Sequence, residues 1–218
     1  MIYNLNKPVD WTSFDVVKKI RTITKEKKVG HGGTLDPFAT GVLIVGTGKD
    51  TKRLGEISST DKKYKATMML GSETDTLDTE GVIVKTLPIP ENCNSTTINN
   101  VFKEFLGTYL QIPPMFSAKK INGMKLYELA RKNITVHREP VPVNIHDITL
   151  IDFTTPQITF TVTCSKGTYI RVLAKDIAEK LDTCGYLVQL ERTRVGNYDI
   201  EDALTMMDFE KQWSFIKT

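Results

Sequence analysis

Residues 29–43 read Val-Gly-His-Gly-Gly-Thr-Leu-Asp-Pro-Phe-Ala-Thr-Gly-Val-Leu, and this stretch restricts the fold more than any other. It holds four of the chain's 14 glycines, one of its three histidines and an Asp-Pro step, then enters an apolar run at 42–45. The glycines admit backbone dihedrals that other residues avoid and let a ligand come close. Pro37 biases Asp36 away from the helical region, which places its carboxylate on extended chain. Val-Leu-Ile-Val is the kind of short apolar run that forms a buried strand. The pattern predicts an irregular loop anchored by a core strand, the usual way of presenting a reactive group. A tight connection with an incidental Asp has the same composition.

Other classes of function are disfavoured. A chain of 218 residues has room for one large domain or two small ones. With 40% hydrophobic and 25% charged residues it reads as globular. The apolar run is far too short to span a bilayer, and the first residues lack the pattern of a signal peptide, so a cytoplasmic protein is expected. Cys93, Cys164 and Cys184 are scattered and odd in number, which suits neither a disulfide framework nor a zinc site. With only His31, His137 and His146 to add, no metal is expected. Gly46-Thr47-Gly48-Lys49 suggests a phosphate loop but fails it, because Leu43 stands at the first glycine position and Asp50 follows the lysine.

Along the chain, a short strand is expected near residues 3–5. Thr12 and Asp15 have the spacing of a capping box for a helix reaching Thr24, with Val16, Val17, Ile20 and Ile23 on one face. Residues 63–70 alternate, with Tyr64, Ala66, Met68 and Leu70 inward. Asp75, Asp78 and Glu80 lie in an acidic stretch that lacks the register of a calcium loop and reads as solvated. Thr97 is expected to cap a helix over 98–106, closed by Gly107. Residues 111–140 carry six cations against two anions, where the whole chain is only +3. Their two prolines, the exposed-looking Met115-Phe116 pair, an Asn122-Gly123 turn and a short helix over 126–131 describe a surface excursion. Strands follow at 141–145, 148–153 and 157–164, then a helix with Leu173, Ile177 and Leu181 on one face. Tyr186, Val188 and Leu190 mark another strand, and Thr205 and Asp208 cap a last helix. One mixed α+β domain on a largely antiparallel sheet is predicted.

Gly30-His31-Gly32-Gly33-Thr34-Leu35-Asp36-Pro37-Phe38-Ala39-Thr40-Gly41 resembles the catalytic motif of the TruB family, the synthases that make pseudouridine at uridine 55 in the T loop of tRNA. Asp61-Lys62-Lys63-Tyr64, Ser165-Lys166-Gly167-Thr168-Tyr169-Ile170-Arg171 and Leu190-Glu191-Arg192-Thr193-Arg194-Val195-Gly196 resemble later motifs of the same family, in its order. The resemblance implies the pseudouridine synthase fold, an α+β fold with a mostly antiparallel sheet, flanking helices and an active-site cleft. It implies a catalytic Asp36, Arg171 as its ion-pair partner, and Tyr64 as stacking platform and candidate base. It also implies that His31 fills the space left by the flipped nucleotide and that Tyr169 and Leu190 line the uracil pocket. Residues 111–140 correspond to the family's RNA-gripping thumb, with Phe116, Lys119, Lys120, Lys125 and Arg131 as candidate RNA contacts. The isomerisation is neither redox nor hydrolysis, so no cofactor is expected. The expected partner is the T-arm stem-loop of tRNA, met by a monomer with no obligate protein partner and no membrane.

Three departures from the family pattern stand out. Asp10 replaces the glycine of the family's Lys-Pro-x-Gly motif, and Glu191 stands where a basic residue is common. The sequence ends at Thr218, where bacterial members usually continue into a PUA domain, so residues 1–218 are read as a single catalytic domain with no PUA domain. Two alternatives remain: a non-catalytic tRNA-binding protein or folding chaperone, and an isomerase serving another RNA or needing a protein partner.

Overall fold

The computed structural model describes residues 1–121 and 123–216. They form two compact units, one of Met1–Lys65 with Gln189–Thr218, the other of Ala66–Val188.

The first unit opens with β1 (Ile2–Lys7) and α1 (Ser13–Thr24). The Thr12 hydroxyl accepts from the Asp15 N–H at 3.1 Å while the Asp15 carboxylate accepts from the Thr12 N–H at 2.9 Å, the reciprocal box expected from the sequence. Val16, Val17 and Ile20 turn inward. β2 (Val29–His31), β3 (Thr40–Thr47), a 3-10 turn over Gly48–Arg53 and α2 (Leu54–Ser59) follow. The unbroken Val-Leu-Ile-Val run exists because β3 is covered on both sides. Leu43 and Val45 pack with Leu5, Val16, Ile20 and Phe209, whereas Val42 and Ile44 pack with Leu54, Ile57 and Val195. β4 (Lys62–Leu70) begins in this unit and ends in the second.

The second unit contains β5 (Ser72–Thr74), β6 (Ile83–Thr86), α3 (Ser95–Phe105) and β7 (Gly107–Gln111). Next come β8 (Lys120–Ile121), β9 (Met124–Lys125), α4 (Leu126–Ala130), β10 (Val141–Thr154), β11 (Gln157–Cys164) and α5 (Ile170–Lys180). Its sheet runs in the order β4-β11-β10-β7, with β11-β10 and β10-β7 antiparallel. Ile158, Phe160, Val162 and Cys164 of β11 are buried in strict alternation. The Phe102 ring of α3 meets Phe160 at 5.6 Å between centroids.

β12 (Gly185–Val195) carries the chain back into the first unit, where β13 (Tyr198–Asp199) and α6 (Met206–Ile216) complete it. There β3 pairs antiparallel with β1 and with β2, and parallel with the end of β12, Glu191 opposite Thr40 and Arg192 opposite Gly41. Thr205 and Asp208 cap α6 as expected, and Phe209 stacks on Trp213 at 6.1 Å.

Several boundaries differ from the sequence reading. The cap of α3 is Asn94, whose side chain accepts from the N–H groups of Thr96 and Thr97; Thr97 is the third helical residue and returns the bond to Asn94. The two strand runs at 141–153 are one strand, broken in pattern by register shifts between Ile145 and Asp147 and between Leu150 and Asp152. In β12 the buried residues include Leu187, Leu190, Arg192 and Val195, while Tyr186 and Val188 are half-buried, so the predicted phase fails before Leu190. Of the expected Asn122-Gly123 turn, Asn122 lies outside the described residues, while Gly123 has φ +84 between β8 and β9.

One carboxylate on α5 makes stability depend on pH. Burial raises the Asp176 carboxyl to about 6, with Glu179 and Glu73 pushing the same way and Lys175 opposing. The unfolded value is near ~3.9, so the folded state holds this proton more tightly. Its stabilising contribution is present below about pH 4 and lost as pH rises through about 6. Asp176→Asn should therefore exceed the wild type in stability at about pH 8, by roughly 1 kcal/mol for a partly exposed group, and match it at about pH 4. Urea midpoints at the two pH values check this.

Candidate active site

The first unit presents Asp36 on a loop whose backbone is fixed at almost every step. β2 leads in, pairing Gly30 with Gly46 and His31 with Val45, and the Gly32 N–H donates to the Ile44 carbonyl at 2.8 Å. The buried Ser13 hydroxyl accepts from the Leu35 N–H at 2.8 Å and donates to the Leu35 carbonyl at 3.1 Å. Beyond Asp36, the Pro37 carbonyl accepts from Lys7 Nζ at 3.0 Å and from the Asp10 N–H at 2.9 Å. Lys7 is 0% exposed, and its ammonium also donates to the carbonyls of Pro8 and Trp11. Asp10, where the resembled family has glycine, takes φ +63, so it adopts the left-handed turn that glycine would provide. Asp36 itself is half-exposed.

Arg192 is the residue the sequence reading missed here. It is 1% exposed, and its guanidinium reaches across 150 or more positions of chain to three carbonyls. Nε donates to Val42 at 2.8 Å, Nη1 to Thr34 at 3.3 Å and Nη2 to Gly33 at 3.2 Å. Its planar fork holds the glycine loop onto β3. The contact is close enough to demand glycine at 41, where φ is +103 and an added Cβ would lie 2.3 Å from the Arg192 carbonyl oxygen. The signal was present in the Leu-Glu-Arg-Thr motif, where Arg192 is two residues on from Leu190 and so shares its buried face, but the motif alone gives the arginine no partner.

Tyr64, Leu190 and His31 lie in the same unit. Tyr64 is 8% exposed on the apolar face of β4, as its alternation predicted, and Leu190 is also buried. Burial pushes the His31 imidazole below its usual range, Arg192's charge acts in the same direction, and the Gly33 backbone opposes. The ring is therefore neutral at pH 7, and its Nδ1 is buried with no hydrogen-bond partner among the described residues.

Tyr169 and Arg171 lie in the second unit, at the start of α5. A cation in a first helical turn opposes the helix dipole and calls for an anion. The acidic stretch read as solvated supplies one: Asp78 is 2% exposed, and its Oδ2 lies 3.4 Å from Arg171 Nε. Asp75 and Glu80 are exposed, as expected. Arg171 Nη1 donates to the Thr76 carbonyl and Nη2 to the Phe116 carbonyl at 2.9 Å. Leu77, between Thr76 and Asp78, takes φ +64, a strained turn that brings a carbonyl and a carboxylate onto one guanidinium. With 3% exposure, Arg171 is a buried cation and not a surface charge at a helix start.

The basic excursion has a small core of its own. Pro113, Pro114, Ser117, Leu126 and Leu129 are buried, and Phe116, expected outside, is half-buried because its carbonyl is tied to Arg171. Lys120 and Arg131 are exposed, while Lys119 and Lys125 are half-buried. Lys125 and Arg131 both approach the Tyr127 ring, at 5.2 and 5.5 Å from its centroid.

Residues 21–170 match the model of the TruB family pseudouridylate synthase N-terminal domain, and residues 171–218 match that of the tRNA pseudouridylate synthase B C-terminal domain. These matches define a pseudouridylate synthase. More narrowly, the chain belongs to the TruB family. It is 44% identical over 211 residues to tRNA pseudouridine synthase B of Clostridium tetani, covering 97% of this chain and 73% of that protein. It is equally identical over 212 residues to the Dehalococcoides mccartyi protein of that name, covering 96% and 69%. Among solved structures it superposes on a chain of a Cbf5-Nop10-Gar1 complex with TM-score 0.76 and 29% identity, covering 99% of this chain and 55% of that one. An H/ACA RNP bound to a substrate RNA containing 2'-deoxyuridine gives 0.73 and 27%, with 99% and 54% covered. The chain spans about half the length of these solved chains.

Arg192→Met keeps much of the volume but leaves the Gly33, Thr34 and Val42 carbonyls without their donor. At about 1–3 kcal/mol per buried group left unsatisfied, a loss of at least about 3 kcal/mol in urea unfolding is expected. Arg192→Lys should recover only part of it, because an ammonium cannot serve three carbonyls in one plane.

Proposed function

We propose that this protein isomerises uridine 55 in the T loop of tRNA to pseudouridine, with Asp36 as the catalytic residue. The observation that carries the reading is the loop around Asp36, held by Ser13, Lys7 and Arg192 before any substrate arrives. Such preorganisation suits a reaction that depends on placing one carboxylate against one sugar and base. Family membership and relatives named tRNA pseudouridine synthase B support tRNA as the substrate.

The reaction breaks the bond from uracil N1 to the ribose, turns the base, joins C5 to the same sugar carbon, releases the C5 proton and takes up one proton from water at N1. Asp36 acts as the anion beside ribose and base. Arg171 pairs with it, supported from behind by Asp78 and the Thr76 and Phe116 carbonyls. Extruding the target from folded RNA costs a few kcal/mol, and stacking on the Tyr64 ring returns about 1–3 kcal/mol. The Tyr64 phenol oxygen then accepts the C5 proton as its own hydroxyl proton passes to water. Tyr169 and Leu190 line the uracil pocket. A neutral His31 occupies the space the nucleotide leaves, without the desolvation cost an imidazolium would incur there. Residues 111–140, with Phe116, Lys119, Lys120, Lys125 and Arg131, grip the phosphate-lined stem as a thumb.

Incubation with a T-arm stem-loop carrying tritium at uridine C5 tests the proposal. Wild type should release tritium and leave pseudouridine at position 55, whereas Asp36→Asn should release it at least about a thousandfold more slowly yet bind the RNA within about threefold. Substantial turnover by Asp36→Asn removes the assigned role. RNA binding by a wild type that releases no tritium favours a binding protein instead.

A further inference from the structure

The geometry points to Gln111 as a positioning residue that sets the entrance of α5, and with it Tyr169 and Arg171, for the isomerisation. This rests on the function proposed above. Gln111 ends β7 and is 0% exposed. Its side-chain amide grips both main-chain polar groups of one residue: the Tyr169 N–H donates to Oε1 at 2.8 Å, and Nε2 donates to the Tyr169 carbonyl at 3.1 Å. The remaining Nε2 hydrogen goes to the Tyr109 hydroxyl. Burial pushes that phenol well above its usual range, with Asp176 acting in the same direction, so it stays neutral. The amide orientation is fixed by this set, since a flipped amide would turn its NH2 against the Tyr169 N–H.

The position of this grip gives it consequence. Tyr169 is the N-cap of α5 with extended φ −94 and ψ 107, and its own side chain makes no capping bond. The first turn of a helix has N–H groups without intrahelical partners, and its direction is set by whatever holds the cap. Here a side chain from another strand does so, 58 positions away. Arg171 follows two residues later, and its Nη2 is held by the Phe116 carbonyl, five residues beyond Gln111. One short segment therefore clamps α5 twice, at the cap through Gln111 and at the guanidinium through Phe116. Misplacement of a reacting group by about 1 Å can slow catalysis about a hundredfold. Loss of the amide leaves the Tyr169 N–H without its acceptor and its carbonyl with the Leu173 N–H alone, which frees the cap and the arginine to move together.

Gln111→Met keeps length and burial without the bonds. Gln111→Glu keeps the shape but lacks the donor unless it is protonated. Stem-loop Kd, single-turnover rate and amide hydrogen exchange are measured for both variants and wild type. The expected Gln111→Met binds within about threefold of wild type, converts bound RNA about ten- to a hundredfold more slowly, and exchanges amides 169–173 at least about tenfold faster while α3 is unchanged. Gln111→Glu should be slow at about pH 8 and recover toward about pH 6, where the protonated acid again donates to Tyr169; wild type shows no such recovery. If Gln111→Met does not fold, Gln111→Glu carries the same readouts. A Gln111→Met rate within about twofold of wild type overturns the inference, as does exchange that rises uniformly across the unit or a Gln111→Glu rate indifferent to pH. Should wild type form no pseudouridine, the proposed function fails by itself, and unchanged exchange at 169–173 would then overturn the role of Gln111 independently.

Discussion

Buried cations that terminate on backbone carbonyls are the constraint on which the rest of the structure depends. Lys7, Arg192 and Arg171 are almost wholly removed from water, and between them they donate to eight carbonyls. Desolvating such groups is expensive unless every donor finds an acceptor, so each one fixes the chain around it. A glycine-rich loop has little tendency of its own to hold one conformation, since glycine loses the most backbone entropy on ordering. Around Asp36, Arg192 and Lys7 supply the order that the loop residues lack. The same logic makes Gly41 obligatory, because the strand carrying Arg192 lies too close for any side chain there.

The two units use this device on different partners. In the first, cations hold main chain so that a carboxylate is left half-exposed at a set position. In the second, main chain and a buried carboxylate hold a cation, Arg171, at the start of α5 against the direction its helix dipole favours. The strained turn at Leu77 belongs to this second arrangement: the left-handed residue lets Thr76 and Asp78 address one guanidinium. Both arrangements place rigid backbone behind one charged side chain, which suits the proposed reaction because it relies on position.

Much of this was legible in sequence. The capping box of α1, the Thr205 cap of α6, the doubly covered strand β3 and the alternation of β11 follow from local chemistry, and each occurs where the residue pattern puts it. The motif around Asp36 pointed to the family that the whole-chain matches establish. What escaped were features set by distant contacts. Asp78 reads as one of three solvated acids until the fold brings Arg171 beside it. Arg192 reads only as one member of a motif, and Gln111 as the first residue of a basic surface run, although each is among the most buried polar groups. The register shifts of β10 defeat alternation because a bulge changes which face the following residues occupy. Asn94 and Thr97 both have cap chemistry three residues apart, and only the fold shows that Asn94 is the cap and Thr97 its partner.

The proposed function holds that Asp36 and Arg171 act as one catalytic pair. A double-mutant cycle on single-turnover rates with the T-arm stem-loop addresses it directly, using Asp36→Glu and Arg171→Lys so that both charges are kept while geometry is disturbed. If the groups work together, the double variant should be no more than about threefold slower than the slower single variant. Losses that multiply, each substitution slowing the reaction by the same factor whether or not the other is present, would contradict the account.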